Sequence, residues 1–302
     1  MTRRTIEAAL RFLLSAQDAD GAWRDFDLPP GAAEAWTTAY AGRCVREAAS
    51  EASGAAVARA RGFLERQARV GGWSYNRVCP PDADSTAQAL IFLSEPSPKH
   101  IAGLARFFQP DGGVRTYIWP PPGHGWGDAH PEVTATALRA LLRWLPSDHE
   151  LIRRGIAWLS PEREAYWWDA PHYLPLELLR LRALVPDSPV KAPPDAPGTT
   201  VFDIALALEC AVLTGSSGEE LSRALLGTQL GDGSWPAGSI LRLPEPAGSG
   251  AAVYADTRRI FTTATALSAL VQAERVASTW SGKPFSRVSG EFVVINKQKF
   301  HH

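Results

Sequence analysis

The 302-residue chain has only three cysteines, Cys44, Cys79 and Cys210, too few and too scattered for a disulfide framework or a Cys-rich zinc site. They suit a reducing, cytoplasmic compartment. Net charge is almost absent too, at −1 with histidine neutral. Arginine far outnumbers lysine, but the arginines are spread along helical faces with no basic run, so binding by counterion release has no footprint and no nucleic-acid partner is expected. No apolar run reaches the roughly 18 residues that would span a bilayer. The opening "MTRRTIEAALRFLLSAQ" is interrupted by Glu7, Arg11 and Gln17 at helical spacing, unlike the apolar core of a signal peptide. Strand signals are scarce until "GEFVVINKQKF" at 290–300, where a short β segment in the tail is plausible.

What is plentiful is tryptophan, eleven residues, recurring in one context. "LRFLLSAQDADGAW" (10–23), "RGFLERQARVGGW" (61–73), "LARFFQPDGGV" (104–114) and "SRALLGTQLGDGSW" (222–235) each run from an apolar helical stretch through Gln to a Gly-containing turn, and three of the four close on Trp. Gln17, Gln67, Gln109 and Gln229 are 50, 42 and 120 residues apart, and a degenerate copy around "GIAWLSPEREAYWW" fills the long gap. An irregular period near 50 marks one supersecondary unit repeated. Each unit continues with a second helix that is apolar on most faces, whereas the stretch before each Gln carries Arg and Glu on one side. Amphipathic helices alternating with all-round apolar ones predict two concentric layers, with an inner ring starting near Trp36, Asp84, Glu132, Tyr173, Phe202 and Phe261. "VPDSPVKAPPDAPG" (185–198) reads as a linker without a helix.

The Gln-x-x-x-Gly-x-Trp turn resembles the QW repeat of the squalene-hopene and oxidosqualene cyclases, shared more loosely with protein prenyltransferase β subunits. The resemblance covers roughly residues 5 to 275 and implies an all-α, single α/α barrel of about ten to twelve helices over 1–276, with 277–302 as a tail. It is more specific for fold than for activity, because one fold hosts many functions.

Between a Trp-rich turn and an inner helix stands "PPDADSTAQA", with two carboxylates one residue apart. The class II cyclases of that family carry Asp-x-Asp-Asp-Thr-Ala at an inner-helix start, and the middle Asp protonates an alkene or epoxide. The resemblance makes Asp84 the acid and Asp82 its partner, with Ser85 where the family has a third carboxylate. Two carboxylates in a dry cavity can keep one proton on near neutral pH, since like charges at close range are not both tolerated. The residues alone equally support a helix N-cap: Asp is a favoured cap, "PP" is a usual entry, and Thr-Ala recurs at 38–39, 134–135 and 263–264 as repeat consensus.

A carbocation also needs walls that stabilise charge without attacking it, and aromatic faces do this. Trp36, Tyr117, Trp119, Trp126, Trp167, Trp168, Tyr173, Phe202 and Phe261 are the candidates, with Ser85, and "YIWPPPGHGW" and "YWWDAPHY" are denser in aromatics than core packing requires. His124 and His172 lie in those segments, and His130 stands four residues past the first. The family uses a histidine to sharpen its acid, so the resemblance implies one of the three near Asp84 without choosing among them, and His130 is a candidate for the substrate wall. A prenyltransferase-type zinc site is not reproduced, because "CPPD" has Cys79 and Asp82 in reversed order and different spacing. A glycosidase pairing lacks a second acid.

These residues imply a proton-initiated cyclase acting on a linear isoprenoid, a prenyl diphosphate or prenylated aromatic included. No cofactor is expected, apart from Mg2+ if the substrate is a diphosphate. The alternative is a non-catalytic isoprenoid- or partner-binding barrel. Larger relatives close their site between two barrels, so either one barrel suffices for a smaller prenyl substrate or a homodimer or second chain supplies the lid.

Overall fold

The computed structural model describes residues 2–119, 125–244 and 251–280. In chain order the elements are α1 (Thr2–Ser15), a hairpin of β1 (Asp25–Leu28) and β2 (Gly31–Ala33), α2 (Ala35–Glu47), α3 (Glu51–Gln67), α4 (Ala83–Phe92), α5 (Pro98–Ala105), α6 (Pro131–Leu141), α7 (Glu150–Trp158), α8 (Tyr173–Arg182), α9 (Val201–Thr214), α10 (Glu219–Thr228), a second hairpin of β3 (Ser239–Pro244) and β4 (Ala251–Ala255), and α11 (Ile260–Trp280). The even-numbered helices α2, α4, α6 and α8, then α9 and α11, pack each on the next and close into a ring, with α1, α3, α5, α7 and α10 outside it. This is the two-layer α/α barrel that the alternating patterns predict, with its inner ring starting where expected. Between α8 and α9 no outer helix intervenes. The proline-rich 185–198 covers that side as coil, anchored where buried His172 bonds Asp203 through Nδ1 (2.8 Å) and the carbonyl of Pro194 through Nε2 (3.2 Å).

The repeat turns explain their own consensus. Each indole donates to the outer helix behind it: Trp23 Nε1 to Leu13 O (2.7 Å), Trp73 to Leu64 O (2.7 Å) and Trp235 to Leu225 O (2.8 Å). The backbone N–H of the same residues donates to a threonine of the next inner helix, Thr38 (2.9 Å), Thr86 (3.0 Å) and Thr263 (3.2 Å), and in the third repeat Val114 does so to Thr134 (2.9 Å). Thr38, Thr86, Thr134 and Thr263 of the Thr-Ala pairs are therefore acceptors for the turns. Gln17 Nε2 bonds Gly21 O and Ala56 O, and Gln229 bonds Gly233 O and Thr5 O, all at 2.9 Å, so the last repeat ties back to the first. Gln109 reaches only Gly127 O, at 3.5 Å. Glycine is required where a turn meets the next outer helix: at Gly21 (φ 94°) a Cβ would sit 2.5 Å from Arg59 O, and at Gly233 (φ 91°) 2.4 Å from Ala8 O.

The two antiparallel hairpins were not expected from sequence. β3 also pairs with the segment before α8, since Asp169 N donates to Ile240 O (2.9 Å) and Arg242 N to Trp167 O (2.7 Å), which fixes Trp167 and Trp168 against the barrel mouth. The domain boundary expected at 276/277 falls inside α11, which runs on to Trp280. The β segment read at 290–300 and His124 lie outside the described residues.

Candidate active site

The inner helices all present their N-termini at one end of the barrel. Trp36, Asp84, Glu132, Phe202 and Phe261 are each the second residue of their helix, and Tyr173 is the first of α8. Over this end lies a cavity of about 340 Å3, walled by Trp36, Tyr75, Cys79, Asp82, Asp84, Ser85, Thr116, Tyr117, Trp126, Glu132, Val133, Trp167, Trp168 and Tyr173, and roofed by Leu28, Pro29 and Pro30 of the first hairpin with Leu241, Leu243, Pro244, Ala252 and Tyr254 of the second. Its size falls at the lower end of small-molecule sites, which run from about 300 to 1,000 Å3. The floor is a stack: Trp168 lies on Tyr173 (4.3 Å between centroids), with Phe202 (5.2 Å) and Phe261 (5.3 Å) beneath, and Trp36 meets Phe261 at 4.9 Å.

The two aspartates have separate positions. Asp82 is the N-cap of α4, accepting from Ser85 N at 2.7 Å and from Tyr75 N at 2.8 Å. Those bonds favour its ionised form, but burial outweighs them and pushes its pKa up to about 6. Asp84 follows inside the helix. Every other residue of α4 is buried, and the exposure that Asp84 keeps is toward the cavity. Burial raises its pKa well above the ordinary carboxylate value, the charges of Asp82, Glu177 and Glu132 raise it further, and the nearby Trp36 N–H, which makes no hydrogen bond within normal geometry, lowers it only slightly. Burial and the neighbouring negative charges thus favour the neutral form of Asp84 beside an aromatic cavity.

Below the floor a charged layer closes the barrel. Glu177 is paired with Arg139 and with Arg180 (2.6 Å), and Arg180 also binds Glu209. Burial opposes ionisation of Glu177, but the two guanidiniums prevail and hold its pKa at about 2. Its charge is one that keeps the proton on Asp84.

Of the residues expected at the site, Asp82, Asp84, Trp36, Ser85, Tyr117, Trp126, Trp167, Trp168 and Tyr173 share the cavity. Trp119 does not, being 78% exposed. Phe202 and Phe261 are fully buried one layer down, as supports for Trp168. His130 stands behind the wall, its Nε2 on Gly125 O (2.7 Å) and its ring stacked on Tyr166 (4.4 Å). His172 is bound to Asp203, so neither of these two histidines bonds the carboxylate pair. Sequence reasoning missed Tyr75, Glu132 and the two hairpins. Glu132 could have been found as the residue one repeat on from Asp84 at the same helical position. Among the described residues no three His, Cys, Asp or Glu side chains converge as metal ligands.

No protein-family model and no curated protein matches the chain. Solved structures do. The type II terpene cyclase MstE from Scytonema superposes with a TM-score of 0.72 at 24% identity over 91% of this chain and 99% of that one. A protein from Actinoplanes does so at 0.75 and 28%, over 91% and 100%. An MstE variant holding geranylgeranyl dihydroxybenzoate, its substrate, gives 0.70 at 25%. The ent-copalyl diphosphate synthase from Streptomyces platensis gives 0.54 at 18% over 80% of this chain, which spans half of that enzyme. Nearly all of the MstE and Actinoplanes chains is matched, so a lone barrel of this size is what they share with this one. The chain has the class II terpene cyclase-like fold, and its likeness to MstE supports an enzyme of the cyclase type.

Proposed function

We propose that the protein cyclises a linear isoprenoid by proton-initiated, class II chemistry, with Asp84 as general acid and Asp82 as the partner that holds its proton on. One observation carries this: in a helix otherwise buried from end to end, the residue that keeps some exposure is a carboxyl lining the cavity, with a strongly raised pKa. The substrate's terminal alkene would lie against Asp84. The carbocation would then be held by the faces of Trp36, Trp126, Trp167, Trp168, Tyr117 and Tyr173, each such contact contributing about 2 kcal/mol when desolvated. The MstE complex supports a prenylated aromatic as a substrate class to test first. Basic side chains are absent from the described wall, so a diphosphate or carboxylate head would stay at the mouth, and Mg2+ would matter only for a diphosphate. The hairpins supply part of the cavity's cover from within the chain, and a homodimer or second chain would add the rest. The barrel, 1–276, is the catalytic unit in this reading and 277–302 its tail. Three free thiols suit a cytoplasmic protein, and no helix among the described residues is long and apolar enough to cross a membrane.

Incubation with prenyl substrates of several lengths, followed by product analysis, tests the proposal. Cyclised product is expected, and its absence across the panel would move the assignment to an isoprenoid-binding barrel. The acid form of Asp84 is the active one, so rate should hold at low pH and fall as pH rises through its raised pKa. The Asp82 charge contributes to that elevation, so Asp82→Asn should move the alkaline limb to lower pH. A limb that stays in place or moves up would separate Asp82 from the acid's proton.

A further inference from the structure

Four polar atoms of the cavity wall are buried without a hydrogen-bond partner: the indole nitrogens of Trp36 and Trp167, the Thr116 hydroxyl and Oε2 of Glu132. Only the last is a Brønsted base. Glu132 is 2% exposed and occupies in α6 the position that Asp84 holds in the adjoining α4. Its other oxygen is engaged, with Oε1 accepting the backbone N–H groups of Tyr166 (2.6 Å) and Trp167 (2.7 Å). Those two bonds hold the carboxyl in one orientation and leave Oε2 as an acceptor that nothing described in the protein uses. A buried polar atom left unpaired costs about 1–3 kcal/mol, a cost that a catalytic role would explain.

A reaction begun by adding a proton must end by losing one or by capturing water. Resting on the cyclase reading of this cavity, we propose that Glu132 is the base that ends it. The Asp84 proton forms a C–H bond at one alkene carbon, and the cation moves along the chain as carbon–carbon bonds form. Oε2 then takes a proton from the carbon beside the final cationic centre, and the electron pair of that C–H bond becomes the new double bond. The Glu132 acid passes its proton through water to the Asp84 carboxylate once product has left, so the cycle is an isomerisation with no net change in protons.

Glu132→Gln tests this, because its amide oxygen can still accept from Tyr166 and Trp167 while the basic oxygen is gone. With the full chain and the prenyl panel, the parent should give mainly alkene. The folded Gln variant should turn over about 10²-fold more slowly or worse, with the ratio of water-captured alcohol to alkene raised several-fold. Glu132→Asp, which keeps a carboxylate, should fall between the two in that ratio. A residue that only positions the Trp167 segment would change rate without changing the ratio. A Gln variant with the parent's rate and alcohol share overturns Glu132 as the base and leaves the cyclase reading intact. A parent that yields no cyclised product overturns both.

Discussion

Asp84→Asn should fold as the parent does and lose turnover by about 10³-fold or more, near the upper end of what positioned acids contribute. The α4 cap is made by Asp82, through Ser85 N at 2.7 Å, so a change at Asp84 leaves the helix start intact. Asparagine matches the shape of the neutral acid and cannot supply its proton. The cap and the acid are thus adjacent residues with different variants to test them. Asp82→Ala should lose about 1 kcal/mol of stability with the cap, whereas Asp84→Asn should melt within a degree or so of the parent. A circular dichroism melt run beside the turnover assay checks both, and a folded Asp84→Asn protein that still cyclises would sink the mechanism.

The largest stability effects should come from the repeat tryptophans. Trp23, Trp73 and Trp235 are fully buried, and each bonds an outer helix through its indole and an inner-helix threonine through its backbone. Truncation to Ala leaves a large cavity and an orphaned carbonyl, for a loss of about 3 to 5 kcal/mol. That is a large share of the roughly 5–15 kcal/mol holding an ordinary domain. In a chain of this size it corresponds to a drop of about 5 to 8 °C in Tm. Trp73 also packs on His100 at 4.4 Å and its side chain does not line the cavity, although its carbonyl accepts from Asp82 N (3.0 Å), so its loss should act chiefly through folding. Were Trp73→Ala to melt like the parent and fail only in ligand binding, the division between structural and cavity tryptophans would be wrong.

The barrel was legible because its inner helices are apolar on most faces and begin at a recurring residue position, a pattern that survives without knowledge of contacts. Which aromatic faces the cavity was less so. Trp36 and Phe261 are each the second residue of an inner helix, yet the first lines the cavity and the second lies beneath Trp168. The roof was hidden for another reason. β1 and β2 are four and three residues long, too short for alternation to register, and both hairpins are stabilised by the mouth they cover rather than by their own pattern. His130 drew attention by its chemistry, while Glu132, two residues on, carries the unpaired oxygen. The difference lies in backbone direction at the helix start, where the side chain of the second residue faces the cavity and that of the cap turns to Gly125.

The central claim is that Asp84 delivers a solvent-exchangeable proton to carbon, and deuterium incorporation measures that step itself. In D2O the Asp84 carboxyl carries deuterium, so each cyclised molecule should contain one non-exchangeable C–D bond at the carbon first protonated, with Asp84→Asn giving no labelled product. Cyclised product free of deuterium, or equal labelling by the Asp84→Asn protein, would contradict the account.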